Sequence, residues 1–262
     1  MAYDSYTKLL IKFNGADAAT THTAETGQTV TFAGTAQIDT AQKKLGISSL
    51  LLDGNSDYVT VPDSDDWTLG AGDWSFDFWV RFNSLTGYQF FWGHYQDDSN
   101  AFSIFKTDTH KIHVGGRNGS GTDVGFETNS AVFSSANQWY HVEVSRNGAT
   151  NYCFVDGVSQ AITNLAAFGT YVNVGAVPNI GRYYATYYFM NGWIDNFRFS
   201  KGICRHTANF TPPVSEIAYH ANQMNIGDVF KPLVGAQINI GDSWKEIIGA
   251  QINIGDVWKT IF

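Results

Sequence analysis

Hydrolysis of a glycosidic bond calls for two carboxyl groups flanking the scissile oxygen, so the glutamates of this chain are the first residues to place. There are five: Glu25, Glu127, Glu143, Glu216 and Glu246. None is set in a strand motif that pairs it with a second catalytic carboxylate. Glu143 alternates with Trp139 and His141, which predicts an outward, solvated strand face. Asp73 and Asp77 are four residues apart, but Trp74, Phe76 and Phe78 interleave as packing residues. Cys153 has His141 upstream without a third member, so a nucleophile triad is missing too. The histidines, among them His94, His110, His113 and His141, lack a zinc-site spacing. These patterns predict a protein that is not an enzyme.

Recognition is better represented. The run Arg182-Tyr183-Tyr184-Ala185-Thr186-Tyr187-Tyr188 concentrates tyrosines, and His94-Tyr95-Gln96-Asp97-Asp98 offers a second polar-aromatic stretch. Exposed Tyr supplies contact area at low rotamer cost, and sugar rings stack on such faces. We take His94, Tyr95, Arg182, Tyr183, Tyr184, Tyr187 and Tyr188 as candidate ligand-binding residues; edge-strand or intersubunit packing is the alternative use of the same tyrosines. Strict alternation in Trp193-Ile194-Asp195-Asn196-Phe197-Arg198-Phe199 puts Asp195 on an aromatic face. A carboxylate there needs hydrogen bonds, such as backbone N–H groups at a bulge, or a bound cation.

The elements that carry these residues are strands. Two hundred and sixty-two residues, 44% hydrophobic and 15% charged, suffice for a large core and exclude a disordered chain. The net charge of -8 and sixteen scattered Lys and Arg argue against nucleic acid as partner. No stretch approaches the length of a membrane span, and the N-terminus lacks the pattern of a secretory signal. Two cysteines, Cys153 and Cys204, are read as reduced thiols. Periodicity is two: Trp74, Phe76, Phe78, Val80 and Phe82 share one face, as do Tyr140, Val142 and Val144. Asp53-Gly54, Asn118-Gly119, Asn147-Gly148 and Asp156-Gly157 supply turns. The expectation is an all-β antiparallel sandwich over residues 1–213, with no convincing helix.

After a linker at 214–223, residues 224–262 repeat. Met224, Ile238 and Ile252 each open an Asn-Ile-Gly-Asp-x-(Phe/Trp)-Lys unit, a step of 14 residues each time. Each unit reads as a β-hairpin. A two-residue Gly-Asp loop places Asn239 opposite Trp244 and a three-residue loop places Ile240 there; the longer loop is favoured. Phe230, Trp244 and Trp258 are the expected assembly residues, because isolated hairpins are marginal in water and repeated exposed aromatics are poorly soluble.

The run 46–62 (GISSLLLDGNSDYVTVP) resembles the opening signature of laminin G-like, concanavalin A-like lectin/glucanase domains. Phe76 to Val80, Trp139 to Val142, Val155-Asp156-Gly157 and Asn191 to Phe199 follow in family order. The resemblance implies a jelly-roll sandwich. It also implies a structural Ca²⁺ site formed by Asp195 with oxygens at Asn14 and Gly46, suited to oxygen ligands. Laminarinase-like enzymes on this fold carry a Glu-x-Asp-x-(x)-Glu strand, which this chain lacks. The ending 200–213 and the terminal repeats resemble bacteriophage virion proteins. That resemblance implies an oligomeric (trimeric or dimeric) tail or fibre component, assembled in the host cytoplasm, with other virion proteins and a host surface glycan as partners. A capsid decoration protein and a polysaccharide depolymerase are the alternatives.

Overall fold

The computed structural model describes residues 3–117, 123–166, 174–184 and 188–216, together with the backbone of six strands between 223 and 260. One compact unit spans Tyr6–Glu216, and the remaining segments form a second. The first unit is two antiparallel sheets, as the period-two patterning requires. The first sheet contains β1 (Thr7–Ile11), β4 (Gln37–Asp39), β5 (Ser49–Asp53), β7 (Trp74–Phe82), β12 (Trp139–Asn147), β13 (Thr150–Val155), β14 (Val158–Ser159) and β17 (Asn191–Lys201). The second contains β2 (Thr21–Thr23), β3 (Thr29–Ala33), β6 (Tyr58–Thr60), β8 (Gln89–Asp97), β9 (Asn100–Lys106), β10 (Ile112–Arg117), β11 (Asp123–Thr128), β15 (Ile162–Ala166) and β16 (Asn179–Ile180). The described helical content is one 3-10 turn, Asp65–Trp67, and none of it is long and apolar enough to cross a membrane.

Alternation fills the space between the sheets. Trp74, Phe76, Phe78, Val80 and Phe82 of β7 all enter the core, as do Tyr140, Val142 and Val144 of β12. Phe76 stacks on Phe199 at 4.4 Å and Phe78 on Phe197 at 5.3 Å, while Trp92 of the opposite sheet meets Phe197 at 5.8 Å. Ring pairs of this kind add about 0.5–1.5 kcal/mol each beyond their buried area. Among the expected turns, Asp156 and Gly157 both take positive φ, 52° and 75°, in the two-residue connection from β13 to β14, while Asn118-Gly119 lies outside the described residues. Both cysteines are free thiols, and burial pushes the Cys153 thiol upward in pKa.

The end of the sandwich is tied to its beginning. Lys12 Nζ donates to Glu216 Oε2 at 3.2 Å, and Asn14 Nδ2 donates to Glu216 Oε1. A chain ending at Pro213 discards both contacts, whereas one ending at Glu216 keeps them. A half-buried ion pair is worth about 1 kcal/mol, so the shorter chain should melt roughly 2–4 °C below the longer one. Both should unfold cooperatively in calorimetry. Equal melting temperatures would show that Glu216 holds nothing.

In the second unit, β18 (Gln223–Ile226) pairs with β19 (Val229–Pro232), β20 (Gln237–Ile240) with β21 (Ser243–Glu246), and β22 (Gln251–Ile254) with β23 (Val257–Thr260). Asn239 faces Trp244 and Ile240 faces Ser243, so the loop is the two-residue one and the three-residue expectation is corrected. Glycine-aspartate is adequate for that turn. In the same register Ile238 pairs with Lys245. The positions of Phe230 and Trp258 are equivalent, opposite Asn225 and Asn253.

Candidate functional site

The outer face of the second sheet carries two cross-strand rows of unlike size. The first is Phe90, Phe105, His113 and Glu127, one from each of β8 to β11 in register. Phe90 stacks on Phe105 at 4.3 Å and Phe105 on His113 at 4.5 Å. Glu127 ends the row, its Oε1 accepting from Lys111 Nζ at 3.0 Å and its Oε2 lying 3.4 Å from His113 Nδ1. The second row is Gly93, Ser103, Gly115 and Gly125. A ridge of rings beside a row with almost no side-chain mass makes a trough, which encloses about 220 Å³.

A bulge in β8 aims the ridge. The register shifts between Phe90 and Trp92, so Phe91 and Trp92 both enter the core and Phe90 turns outward. Beyond the bulge, Gly93 and Tyr95 face out and His94 faces in. The segment 182–184 crosses directly over Gly93, where a Cβ would lie 2.3 Å from Arg182 O and 2.6 Å from Tyr183 O. Only glycine permits that crossing. It delivers Tyr183 onto Phe90 at 4.8 Å and Tyr184 onto Tyr95 at 4.2 Å. Burial pushes the Tyr183 phenol up to about 12, with Tyr95 beside it adding to the shift, so it remains an O–H donor. Tyr188, at φ +63°, and Tyr88 complete the wall, 48% and 41% exposed with rings 5.5 Å apart.

The two tyrosine-bearing stretches therefore meet, and Tyr95, Tyr183, Tyr184 and Tyr188 belong to one surface. Tyr187 lies outside the described residues. His94 is corrected: it is 2% exposed, set against Trp92, with Nε2 2.7 Å from Ala176 O. Arg182 belongs to the scaffold, its guanidinium 3.4 Å over the Tyr58 ring and Nη2 donating to Asn179 Oδ1 at 3.0 Å. The reading from sequence missed Phe90, Phe105, His113 and Ser103. Their signal was present in β9, where Phe105 falls on the face of Ala101 and Ser103, opposite Phe102 and Ile104. A large ring on the otherwise small, polar face of a strand marks a surface built for contact.

The first sheet holds a second polar set, and here the expected solvated Glu143 is corrected. Glu143 faces Asp77 across β12 and β7, so two carboxylates do come together without a sequence motif. Neither is open: Glu143 is 1% and Asp77 2% exposed. Arg198 Nε donates to Asp77 Oδ2 at 2.7 Å, and His206 Nδ1 lies 2.7 Å from Glu143 Oε2. Phe210 stacks on His206 at 3.7 Å and closes the cover. Burial raises the Glu143 pKa against the opposing pull of His206. A substrate cannot reach this pair while the segment 203–210 lies over it.

Asp195, Asn14 and Gly46 are near one another through hydrogen bonds. β17 bulges between Asp195 and Arg198, with Asn196 at φ +50°. The bulge breaks the strict alternation expected here, so Phe197 and Phe199 enter the core and Asp195 faces away from them. Asp195 Oδ2 accepts from the backbone N–H groups of Lys44 at 2.8 Å and Leu45 at 2.9 Å, and Oδ1 accepts from Asn196 Nδ2 at 2.9 Å. Asn14 Oδ1 accepts from Ile47 N at 2.9 Å. Gly46, at φ +63°, closes on Asn14 and Glu216. Ca²⁺ wants oxygens turned toward it; these oxygens are turned toward N–H donors, and the positive charge beside Glu216 is Lys12. The donor set does not fit a resident Ca²⁺ and fits a cap on the 44–47 turn. Burial still raises the Asp195 pKa to about 6 against those donors. Among the described residues no group of three metal-ligating side chains converges.

The family model described as "Concanavalin A-like lectin/glucanases superfamily" matches residues 53–204, more than half of the chain. No curated protein matches at the level of sequence. Solved structures with this fold include domain 4 of AbnA, a GH43 extracellular arabinanase from Geobacillus stearothermophilus, in complex with arabinotriose. It has a TM-score of 0.57 at 17% identity, covering 75% of this chain and 92% of that one. The receptor binding domain of botulinum neurotoxin C/D mosaic serotype has a TM-score of 0.57 at 12% identity, over 76% of this chain and 49% of that one. The binding domain of botulinum neurotoxin DC in complex with SialylT has a TM-score of 0.53 at 14% identity, over 76% and 49%. The chain thus spans about half the length of those toxin domains.

Proposed function

The chain belongs to the concanavalin A-like lectin/glucanases superfamily, and from that premise we propose that its sandwich is a glycan-binding module that does not cleave its ligand. The observation that carries this reading is the ring-lined trough: Phe90, Phe105 and His113 stacked beside Ser103, Gly115 and Gly116, with Tyr88, Tyr183 and Tyr188 in its wall. The exposed rings of Tyr88 and Tyr188 offer the apolar faces of a sugar a stacking surface, the buried Phe90 backs them, and the small residues leave depth for the sugar's edge. The arabinotriose and SialylT complexes of the fold neighbours are consistent with a sugar as ligand. The covered Asp77 and Glu143 support the non-cleaving part of the proposal, since glycoside hydrolysis uses two carboxyl groups at the bond.

The test is a glycan-binding screen followed by titration calorimetry. Tyr188→Ala should weaken binding at least about tenfold, or roughly 1.4 kcal/mol, with an unchanged melting temperature. Arg182→Ala should lower the melting temperature, because it removes the clamp between Tyr58 and Asn179. No reducing ends should appear on incubation with a bound polysaccharide. Failure to bind any glycan, or full affinity in Tyr188→Ala, overturns the reading.

We also propose that the module serves a bacteriophage virion as a tail or fibre component, with the hairpins as its assembly element. The support is the resemblance of 200–213 and of the 14-residue repeats to virion proteins, together with the hairpin register. Trp244 pairs with Asn239 in one hairpin and Trp258 with Asn253 in the next, so the aromatic recurs at the same register position. Each buried side chain contributes about 1.5–3 kcal/mol, against about 1–2 kcal/mol per ordered residue, so partners from other chains decide the balance. Replacing Trp244 and Trp258 together by Ser should convert the oligomer to monomer in light scattering while residues 6–216 keep their fold. An unchanged mass would remove the hairpins from assembly.

A further inference from the structure

The trough does not end at its tyrosine wall. Tyr88 and Tyr188 also bound a second hollow of about 390 Å³, whose other sides include Gly54, Asn55, Thr86 and Asn191. The two tyrosines are thus a shared lip between two depressions on one surface. The trough by itself is smaller than the roughly 300–1,000 Å³ of ordinary ligand sites, and the pair together falls inside that range.

The chemistry of the two differs. The trough has stacked rings with His113 and Arg117 among its lining. Apart from the two tyrosines, the second hollow has no ionisable side chain in its lining, only amides, hydroxyls, glycines and Phe189. The side-chain amides of Asn55 and Asn191 make no hydrogen bond to other described residues, so each keeps donors and acceptors for a ligand.

This hollow is also built rather than incidental. Gln89 Nε2 donates to Ser84 O at 2.6 Å and to Thr86 O at 3.2 Å, and its Oε1 accepts from Asn191 N at 2.9 Å. Lys106 Nζ donates to Gly87 O at 2.8 Å from a fully buried position. Gly54, at φ +80°, lets its turn close on Asn191, whose Cβ a side chain there would meet at 2.6 Å. A loop held this way loses little entropy on binding.

We infer that the ligand is a linear oligosaccharide bound along its length, one part stacked in the trough and an uncharged part crossing Tyr88 and Tyr188 into the second hollow. A single terminal sugar would leave Asn55 and Asn191 unused. This rests on the glycan-binding reading above and adds the form of the ligand to it.

The experiment titrates the full chain with uncharged linear gluco-, manno-, galacto- and arabino-oligosaccharides of increasing length, with free ends and with both ends blocked. In a series that binds, affinity should rise about tenfold or more from the disaccharide to the longest member, and end-blocking should leave it unchanged. Asn55→Ala combined with Asn191→Ala should remove most of that gain and spare the disaccharide. Tyr183→Ala should weaken every length. Affinity independent of length, or lost on blocking the ends, overturns the inference and leaves glycan binding standing. If neither these oligosaccharides nor any glycan of the screen binds, the glycan reading falls and this inference with it.

Discussion

Asp195→Ala is expected to destabilise the sandwich by about 2–4 kcal/mol. The substitution strands the N–H groups of Lys44 and Leu45 and the Asn196 amide, and each buried group left unpaired costs about 1–3 kcal/mol. Removing a buried charge offsets part of that sum. In a unit this size the loss corresponds to roughly 10 °C in melting temperature. Asp195→Asn keeps an acceptor for the two backbone donors and should cost much less. A chelator should leave the wild-type melting temperature where it is; a chelator-induced fall reversed by Ca²⁺ would replace the cap with a cation site.

The second large effect is on pH dependence, and it needs two variants to be seen. His141, on β12 between Trp79 and Phe210, has its pKa lowered from 6.5 to about 4 by burial, with Arg198, His206 and Lys44 adding to the shift and Asp77 opposing it. A depressed folded pKa means stability present above pH 6.5 and lost as pH falls toward 4, about 3 kcal/mol in all. Asp195 runs the other way. Its pKa is raised from 3.8 to about 6 by burial, so its contribution is present below pH 3.8 and lost as pH rises through 6, again about 3 kcal/mol. Glu143, raised by burial, acts in the same direction as Asp195. Between pH 4 and 6 the terms oppose, and the wild-type profile should be shallow. Asp195→Asn should expose a steep loss on acidification. His141→Leu, which fills the same apolar niche, should instead become more stable as pH falls from 6 to 4. Denaturant titrations across that window decide it: a His141→Leu profile parallel to wild type would mean that His141 is solvated in the fold.

Much of the sandwich was readable because alternation and core are the same statement in β7 and β12: the residues spaced by two are the residues inside. Two bulges escaped that logic. One at Phe91 sends consecutive aromatics inward and turns Phe90 out; the other at Asn196 moves Asp195 off the face of Phe197. A bulge adds one residue to one strand, and a pattern of apolar letters does not announce it when both neighbours are aromatic. Burial of Glu143 was hidden for a different reason. Its cover comes from His206 and Phe210, some sixty residues downstream, and strand periodicity says nothing about what lies above a face. The tyrosines of the candidate site were visible as composition, while their meeting depends on Gly93 admitting the 182–184 crossing. The hairpin loop was misjudged because an apolar cross-strand partner for Trp244 was expected where the register supplies Asn239.

Along β9, Phe102 and Ile104 face the core while Ala101, Ser103 and Phe105 face the trough. Stability and recognition are thereby written on alternate letters of one strand. A change at Ser103 or Ala101 alters the depth of the trough without removing a side chain of the hydrophobic core. Single substitutions on the outer letters can therefore reshape the trough while the core letters of the same strand stay unchanged. Gly93 and Gly115 are the exceptions. The first is fixed by the chain that crosses it, and at the second a Cβ would come within 2.5 Å of His113 Nε2, so natural variation in binding should concentrate at Ala101, Ser103 and the tyrosines instead.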